Sequence, residues 1–289
     1  MVSSASFIHA VAERHRREKG FKLFVRNHQS CPYPRNIGFF KAMSIVNESE
    51  PKNYSSKKYV PITRRNIRSF LKNNPENISL HQRVENRSKH VAEVLSQGDL
   101  AVETALKYCL REMFRNIFEH SQTVFAWYGG QYWPSLDAVE FAFSDIGSGF
   151  LPTINRHPSY NVTNDFEALE YAMEPGVTGQ PGKSNWSETS GPEWANSGYG
   201  LFIASELCRR HGRFHVHSNS AGRSLSGSDI IEYSCHFPGT LVVLELNPST
   251  FENVDTKELI KSICKEGEER SALSPIVSIK RASKSSSSS

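Results

Sequence analysis

Hydrophobic and polar positions divide the chain into stretches of different period. Residues 79–97 read as a helix that stops near Gly98, and Asp99 is a good N-cap for a second helix running to about His120. Along that second helix, at about 100° per residue, Leu106, Leu110, Met113 and Ile117 share one face, while Glu112, Asn116 and Glu119 form a polar row on another. Strand candidates follow at 124–128 and 138–143. Gly129-Gly130 and Trp133-Pro134-Ser135 lie between them, which predicts a hairpin with an extended turn. Residues 166–173 read as helix, and residues 201–211 as another, ended by Gly212. Strands are expected at 213–218, 230–236 and 241–246. No internal repeat is visible.

The ends and connections have a different texture. Residues 21–25 are apolar enough for a strand; a loop with Pro32 and Pro34 follows, and 37–46 reads as a helix. This is too little material for a core of its own, so the unit is expected to pack on the main domain or on a partner. Residues 47–58 are polar and carry a proline, as in a loop or linker. Residues 175–199 are rich in Gly, Pro, Ser and Asn with little apolar periodicity, the texture of a functional loop or lid. Beyond Ala282 only Ser and Lys remain, a composition that cannot bury apolar area. The expected organisation is a small N-terminal unit with linker over 1–75, a main domain over 76–248 and a C-terminal extension over 249–289.

Composition narrows the function classes. In 289 residues, 38% are hydrophobic and 22% charged, as in a soluble globular protein. The formal net charge of +4 is too mild to argue for nucleic acid, and no base-reading motif is present. His15-Arg16-Arg17, Lys57-Lys58 and Arg64-Arg65 concentrate the basic surplus in the first quarter. They are either solvated surface or a docking surface for an acidic partner. The five cysteines form no C-x-x-C pair, which argues against zinc and for reduced thiols in a cytoplasm. No stretch approaches the ~20 apolar residues of a membrane span, and the N-terminus lacks a signal-peptide core.

Three motifs carry the chemistry. Glu112 and Asn116 sit one helical turn apart, so a proton acceptor and a magnesium-ligand oxygen can face one ligand. In Ser144-Asp145-Ile146-Gly147-Ser148-Gly149, an aspartate at a strand end can accept from an exocyclic amine, and alternate glycines let backbone approach a ligand closely. In Asn196-Ser197-Gly198-Tyr199-Gly200-Leu201, glycines ahead of a helix leave free amides aimed at an anion. Each has a plainer reading: a solvated helix face, a turn, a common G-x-G. The third is neither a Walker loop nor a dinucleotide fingerprint.

In this order and setting, E-x-x-x-N, D-x-G-x-G and G-x-G-L resemble the motifs of the GHKL, or Bergerat-fold, ATPase superfamily. That group includes sensor histidine kinases, anti-sigma-factor serine kinases, type II topoisomerases and mismatch-repair ATPases. The resemblance covers 79–247, and Asn116 to Ser121, N-I-F-E-H-S, looks most like the anti-sigma kinases and sensor-kinase catalytic domains. It implies an α+β fold, a two-layer α/β sandwich of the Bergerat ATP-binding type with a small N-terminal α/β extension. It also implies ATP and Mg2+ as cofactors. Residue by residue, Glu112 matches the group that polarises water or the acceptor hydroxyl, and Asn116 the magnesium ligand. Asp145 matches the adenine-amine acceptor, and Gly147 and Gly149 the glycines around adenine and ribose. Gly198 and Gly200 match the lid glycines under the phosphates. His120, Leu201 and the adenine-side Thr240 count with the nucleotide-binding positions. Neither His81 nor His90 sits in the H-E context of a phosphoacceptor, and the residues after Asn247 are too few for a transducer domain. The resemblance thus implies a cytoplasmic Mg-dependent ATPase or Ser/Thr protein kinase acting on a regulatory protein partner, with a homodimer admitted and neither nucleic acid nor membrane involved. The alternative is a non-catalytic, ATP-gated interaction module.

Overall fold

The computed structural model describes residues 2–22, 24–44, 58–73, 77–120, 123–158, 160–178 and 198–273, without the side chains of 2–4, 6, 7, 17, 119 and 120. Helix α1 spans Val2–Lys19, α2 Pro32–Asn36 and α3 Phe39–Ala42. Strand β1 (Tyr59–Asn66) and α4 (Ile67–Lys72) lead to the helical hairpin of α5 (Leu80–Ser96) and α6 (Leu100–His120). Then come β2 (Phe125–Trp133), β3 (Ala138–Asp145), α7 (Phe150–Ile154) and α8 (Asp165–Met173). Helix α9 (Gly200–His211), the long hairpin β4 (Gly212–Ser226) and β5 (Asp229–Leu246), and α10 (Thr256–Leu273) complete the described chain. The class is α+β, and the five strands form one antiparallel sheet in the order β1-β2-β3-β5-β4.

Caps explain why the helices start where they do. Ser79 accepts from the Gln82 N–H, Asn164 from the Glu167 N–H, and Asp99 from the Ala101 and Val102 N–H groups at 2.9 and 3.0 Å. Gln97 and Gly98, both with positive φ, turn the chain between α5 and α6. The expected apolar face of α6 is the one that packs: Leu106, Leu110, Met113 and Ile117 are all buried.

The two-residue period of the strands divides the core in two. Tyr128, Phe141, Phe143, Val242 and Leu244 face α5, α6 and α9 in the main core. Trp127, Ala142, Leu241 and Val243 face the other way, against Ala5 and Ala10 of α1 and Ile37 and Ala42 beside it. Polar contacts tie this N-terminal cover down. The Trp127 indole donates to the Ala42 carbonyl at 3.3 Å, the Tyr33 hydroxyl to Gln131 at 2.6 Å, and the Arg64 guanidinium lies 3.6 Å above the Phe125 ring.

Several sequence expectations fail here. Among the described residues of 21–25 there is no strand; of the helix expected at 37–46 the described residues hold only α3, and the expected proline loop before it contains α2. Gly129 and Gly130 lie inside β2 rather than in a turn, because a Cβ at Gly130 would crowd Phe141 and Leu95. The three strands expected after α9 are two long ones, turning at Gly227 and Ser228. Helices α1 and α10 and strand β1 were not expected, and β1 is an edge of the main sheet. Most of the glycine-rich stretch at 175–199, all of the linker at 47–58 except Lys58, and the serine-rich end lie outside the described residues. Among the described residues, no helix is long and apolar enough to cross a membrane.

Candidate functional site

An open cleft with about 930 Å³ of empty space, its mouth included, lies between the sheet and α6, α7 and α9. Strand register sets its floor. Asp145 pairs with Thr240 and Phe143 with Val242, and all four line the cleft from the sheet face that carries α6. Glu112, Met113, Asn116 and Ile117 form a wall from α6. Gly198, Gly200 and Leu201 close another side at the start of α9. The three sequence motifs, far apart along the chain, therefore meet in one cavity.

Asp145 is 5% exposed. Burial pushes its carboxyl up to about 7 from an ordinary 3.8, against the stabilising backbone N–H groups of Gly147 and Thr240. The Gly147 N–H donates to Asp145 Oδ1 at 2.7 Å. Gly147 does this from behind and is not part of the cleft lining, whereas Gly149 is.

Glu112 is not the solvated helix-face residue that the polar row suggested. It is 6% exposed, between Arg111 at 5% and Arg115 at 7%. Arg115 Nη1 lies 3.1 Å from Glu112 Oε2, and Arg111 Nε lies 3.3 Å from Oε1. Burial alone would raise the Glu112 carboxyl, but the Arg115 and Arg111 charges and hydrogen bonds outweigh it and hold the pKa below the ordinary value. Arg111 also lies 3.5 Å from Glu85, which in turn lies 3.7 Å from Lys107. A Cβ at Gly200 would overlap Glu112 Oε2, so glycine at that position lets the start of α9 close on α6.

Asn116 is half-buried and its amide is available to the cleft. Among the described residues, no group of three or more His, Cys, Asp or Glu side chains could hold a metal. An ion beside Asn116 would therefore rely on oxygens of a bound ligand and on water, as magnesium commonly does. The residues present fit an anionic ligand with such an ion: α9 has no side-chain N-cap, and its first amides open beside Gly198 and Gly200. Helix α6 ends at His120, whose side chain, like that of Glu119, lies outside the described residues.

Sequence reasoning missed the latch that holds the D-x-G-x-G turn. Asn219, at φ 52° on a bulge of β4, donates to the Ser148 carbonyl at 3.1 Å and accepts from the Gly239 N–H at 3.3 Å. Its neighbour Ser218 accepts from the Phe150 N–H at 2.9 Å, and the Ser220 hydroxyl donates to Asp165 at 2.7 Å. A Cβ at Gly149 would collide with Asn219, and one at Gly239 with the Asp145 carbonyl, so both glycines are required by close approach. The signal in the sequence was the run Ser218-Asn219-Ser220-Ala221-Gly222, unusually polar for a strand.

No protein-family model, curated protein or solved structure matches this chain.

Proposed function

We propose that the chain is an ATP- and Mg2+-binding regulatory protein of the GHKL, Bergerat-fold type, acting on a protein partner. The observation that carries this reading is that one cleft gathers Asn116, Asp145 with Gly149, and Gly198 with Gly200. Asp145 receives the adenine: a carboxyl group has more acceptor sites than Gly147 and Thr240 fill, which leaves capacity for an exocyclic amine. The open amides at the start of α9 hold phosphate oxygens. Asn116 ligates the ion, which supplies charge neutralisation at the phosphates when bound.

A second reading, an ATP-gated interaction module without turnover, is favoured by the setting of Glu112. A carboxylate held by two guanidiniums is a weak proton acceptor, so activating water or a hydroxyl requires Glu112 to leave Arg111 and Arg115. Calorimetric titration with ATP and GTP, each with and without Mg2+, tests the shared claim. The expected result is ATP binding about tenfold or more tighter than GTP and strengthened by Mg2+, with Asp145→Ala costing about 1–3 kcal/mol of ATP affinity. No ATP binding, or equal binding of ATP and GTP, overturns it. Phosphate release and transfer to candidate partners, compared between wild type and Glu112→Ala, then separates the two readings.

A further inference from the structure

The first amides of α9 open on the cleft beside Gly198 and Gly200, and helix α10 holds that turn from behind. Tyr199 stands between the two glycines and is 1% exposed. A Cβ at Gly267 of α10 would lie 2.7 Å from the Phe202 ring and 3.2 Å from the Tyr199 ring, so α10 meets the start of α9 where a glycine gives the room. At the other end of α9, the Arg210 guanidinium donates to both carboxylate oxygens of Glu266, at 2.5 and 3.3 Å.

The same helix reaches the chain that leads into the glycine-rich stretch. Glu174, the residue after α8, accepts from Arg270 Nη2 at 2.7 Å, and the Arg270 guanidinium lies 5.4 Å from the Phe202 ring centre. Two residues on, the Gly176 N–H donates to the Gly198 carbonyl at 3.1 Å. A Cβ at Gly198, where φ is 75°, would overlap the backbone of Gly176 and Val177. Segments 174–177 and 198–200 therefore form one close pair, and α10 touches both, Arg270 the first and Gly267 the second. Among the described residues, α10 supplies none of the cleft lining, so it acts on a ligand only through this pair.

We propose that Gly267 and Arg270 are positioning residues for the phosphate end of the cleft, setting where Gly198 and the first amides of α9 stand. This role rests on the nucleotide reading and gives the site a means of control. Hydrogen bonds to an anion weaken steeply as distance and angle depart from their optimum, so a small displacement of these amides costs phosphate binding. The adenine contact at Asp145, on β3, does not depend on α10. The coupling runs both ways: phosphates that fix the start of α9 also hold α10, and a partner that draws α10 aside weakens phosphate binding.

Calorimetric titration of the full chain with Mg2+-ATP and with adenosine separates positioning from general damage. Gly267→Ala and Gly267→Val push α10 from α9 by increasing amounts. ATP affinity falls about threefold in the first and about tenfold or more in the second, while adenosine affinity is unchanged. Circular dichroism confirms that each variant is folded. Arg270→Glu, which sets like charges together at Glu174, lowers ATP affinity about threefold, and the reversed pair, Arg270→Glu with Glu174→Arg, restores it. In the wild type, ATP slows amide exchange in α10 more than adenosine does. Unchanged ATP affinity in both folded Gly267 variants, or equal losses for ATP and adenosine, overturns the positioning role, while ATP binding by the wild type still upholds the nucleotide reading. Should the Gly267 variants unfold or adenosine bind too weakly to titrate, the charge reversal decides: ATP affinity unmoved by Arg270→Glu, or left low in the reversed pair, overturns the role. Absence of ATP binding by the wild type overturns both.

Discussion

Asp145 and Glu112 line the same cleft, and burial raises the cost of a negative charge on each. On the sheet side, Asp145 meets backbone N–H groups alone and its carboxyl rises to about 7. On the helix side, Glu112 meets two guanidiniums and its carboxyl falls. The contrast teaches that burial by itself does not decide protonation. What sits opposite the carboxylate does, and a cleft built this way offers a near-neutral acid on one side and a compensated anion on the other.

The strongest blow to this contrast is to remove the helix-side carboxylate. Glu112→Gln leaves buried Arg115 and Arg111 without that counter-charge, and we expect a loss of about 3–5 kcal/mol in urea unfolding at pH 7. A loss below about 1 kcal/mol would mean that water already compensates these guanidiniums. Because the folded-state pKa of Glu112 is lowered, its stabilisation is present above the unfolded value of 4.5 and fades as pH falls through the folded one. The wild-type and Glu112→Gln stabilities should therefore converge in acid.

Asp145 gives the opposite slope. Its folded-state value of about 7 lies above the unfolded 3.8, so the native state holds the extra proton and loses stability as pH rises between them. Relative to Asp145→Asn, the wild type should lose up to about 4 kcal/mol from pH 4 to 7 and stay level above that, read from urea midpoints across the range. A flat difference would mean that the carboxylate is solvated in solution.

A smaller change sharpens the sheet side. Asn219→Ala removes the bonds to the Ser148 carbonyl and the Gly239 N–H and should cost about 1–3 kcal/mol, with faster hydrogen exchange at Gly147 and Phe150. Unchanged exchange there would show that the turn holds its shape without the latch.

Much of the main core was legible because its signals are local. Ser79, Asp99 and the period of Leu106, Leu110, Met113 and Ile117 fix two helices without reference to the rest of the chain. Gly129-Gly130 misled because a glycine pair reads as a turn, whereas the need at Gly130 is room for Leu95 on another element. The β4–β5 hairpin was broken up because its outer half, around Ser218-Asn219-Ser220, lacks the alternation of a half-buried strand. At the site, Asp145, Asn116, Gly149, Gly198 and Gly200 were legible by motif, while Gly147 braces Asp145 without lining the cleft. The setting of Glu112 was missed because a helix surface pattern does not say what covers it. Arg115, one turn further on, was the available clue.

Helix α1 imposes an order on the birth of the protein. It leaves the ribosome well before the surface it rests on, Trp127, Ala142 and Val243, which is made much later. At ordinary elongation rates the wait from α1 to β5 is on the order of 10–50 s, during which α1 has no complete native seat. The N-terminal cover can therefore dock fully only after β5 is made. A nascent chain halted before β5 carries this segment exposed to chaperones and proteases, whereas one extended past β5 can seat it.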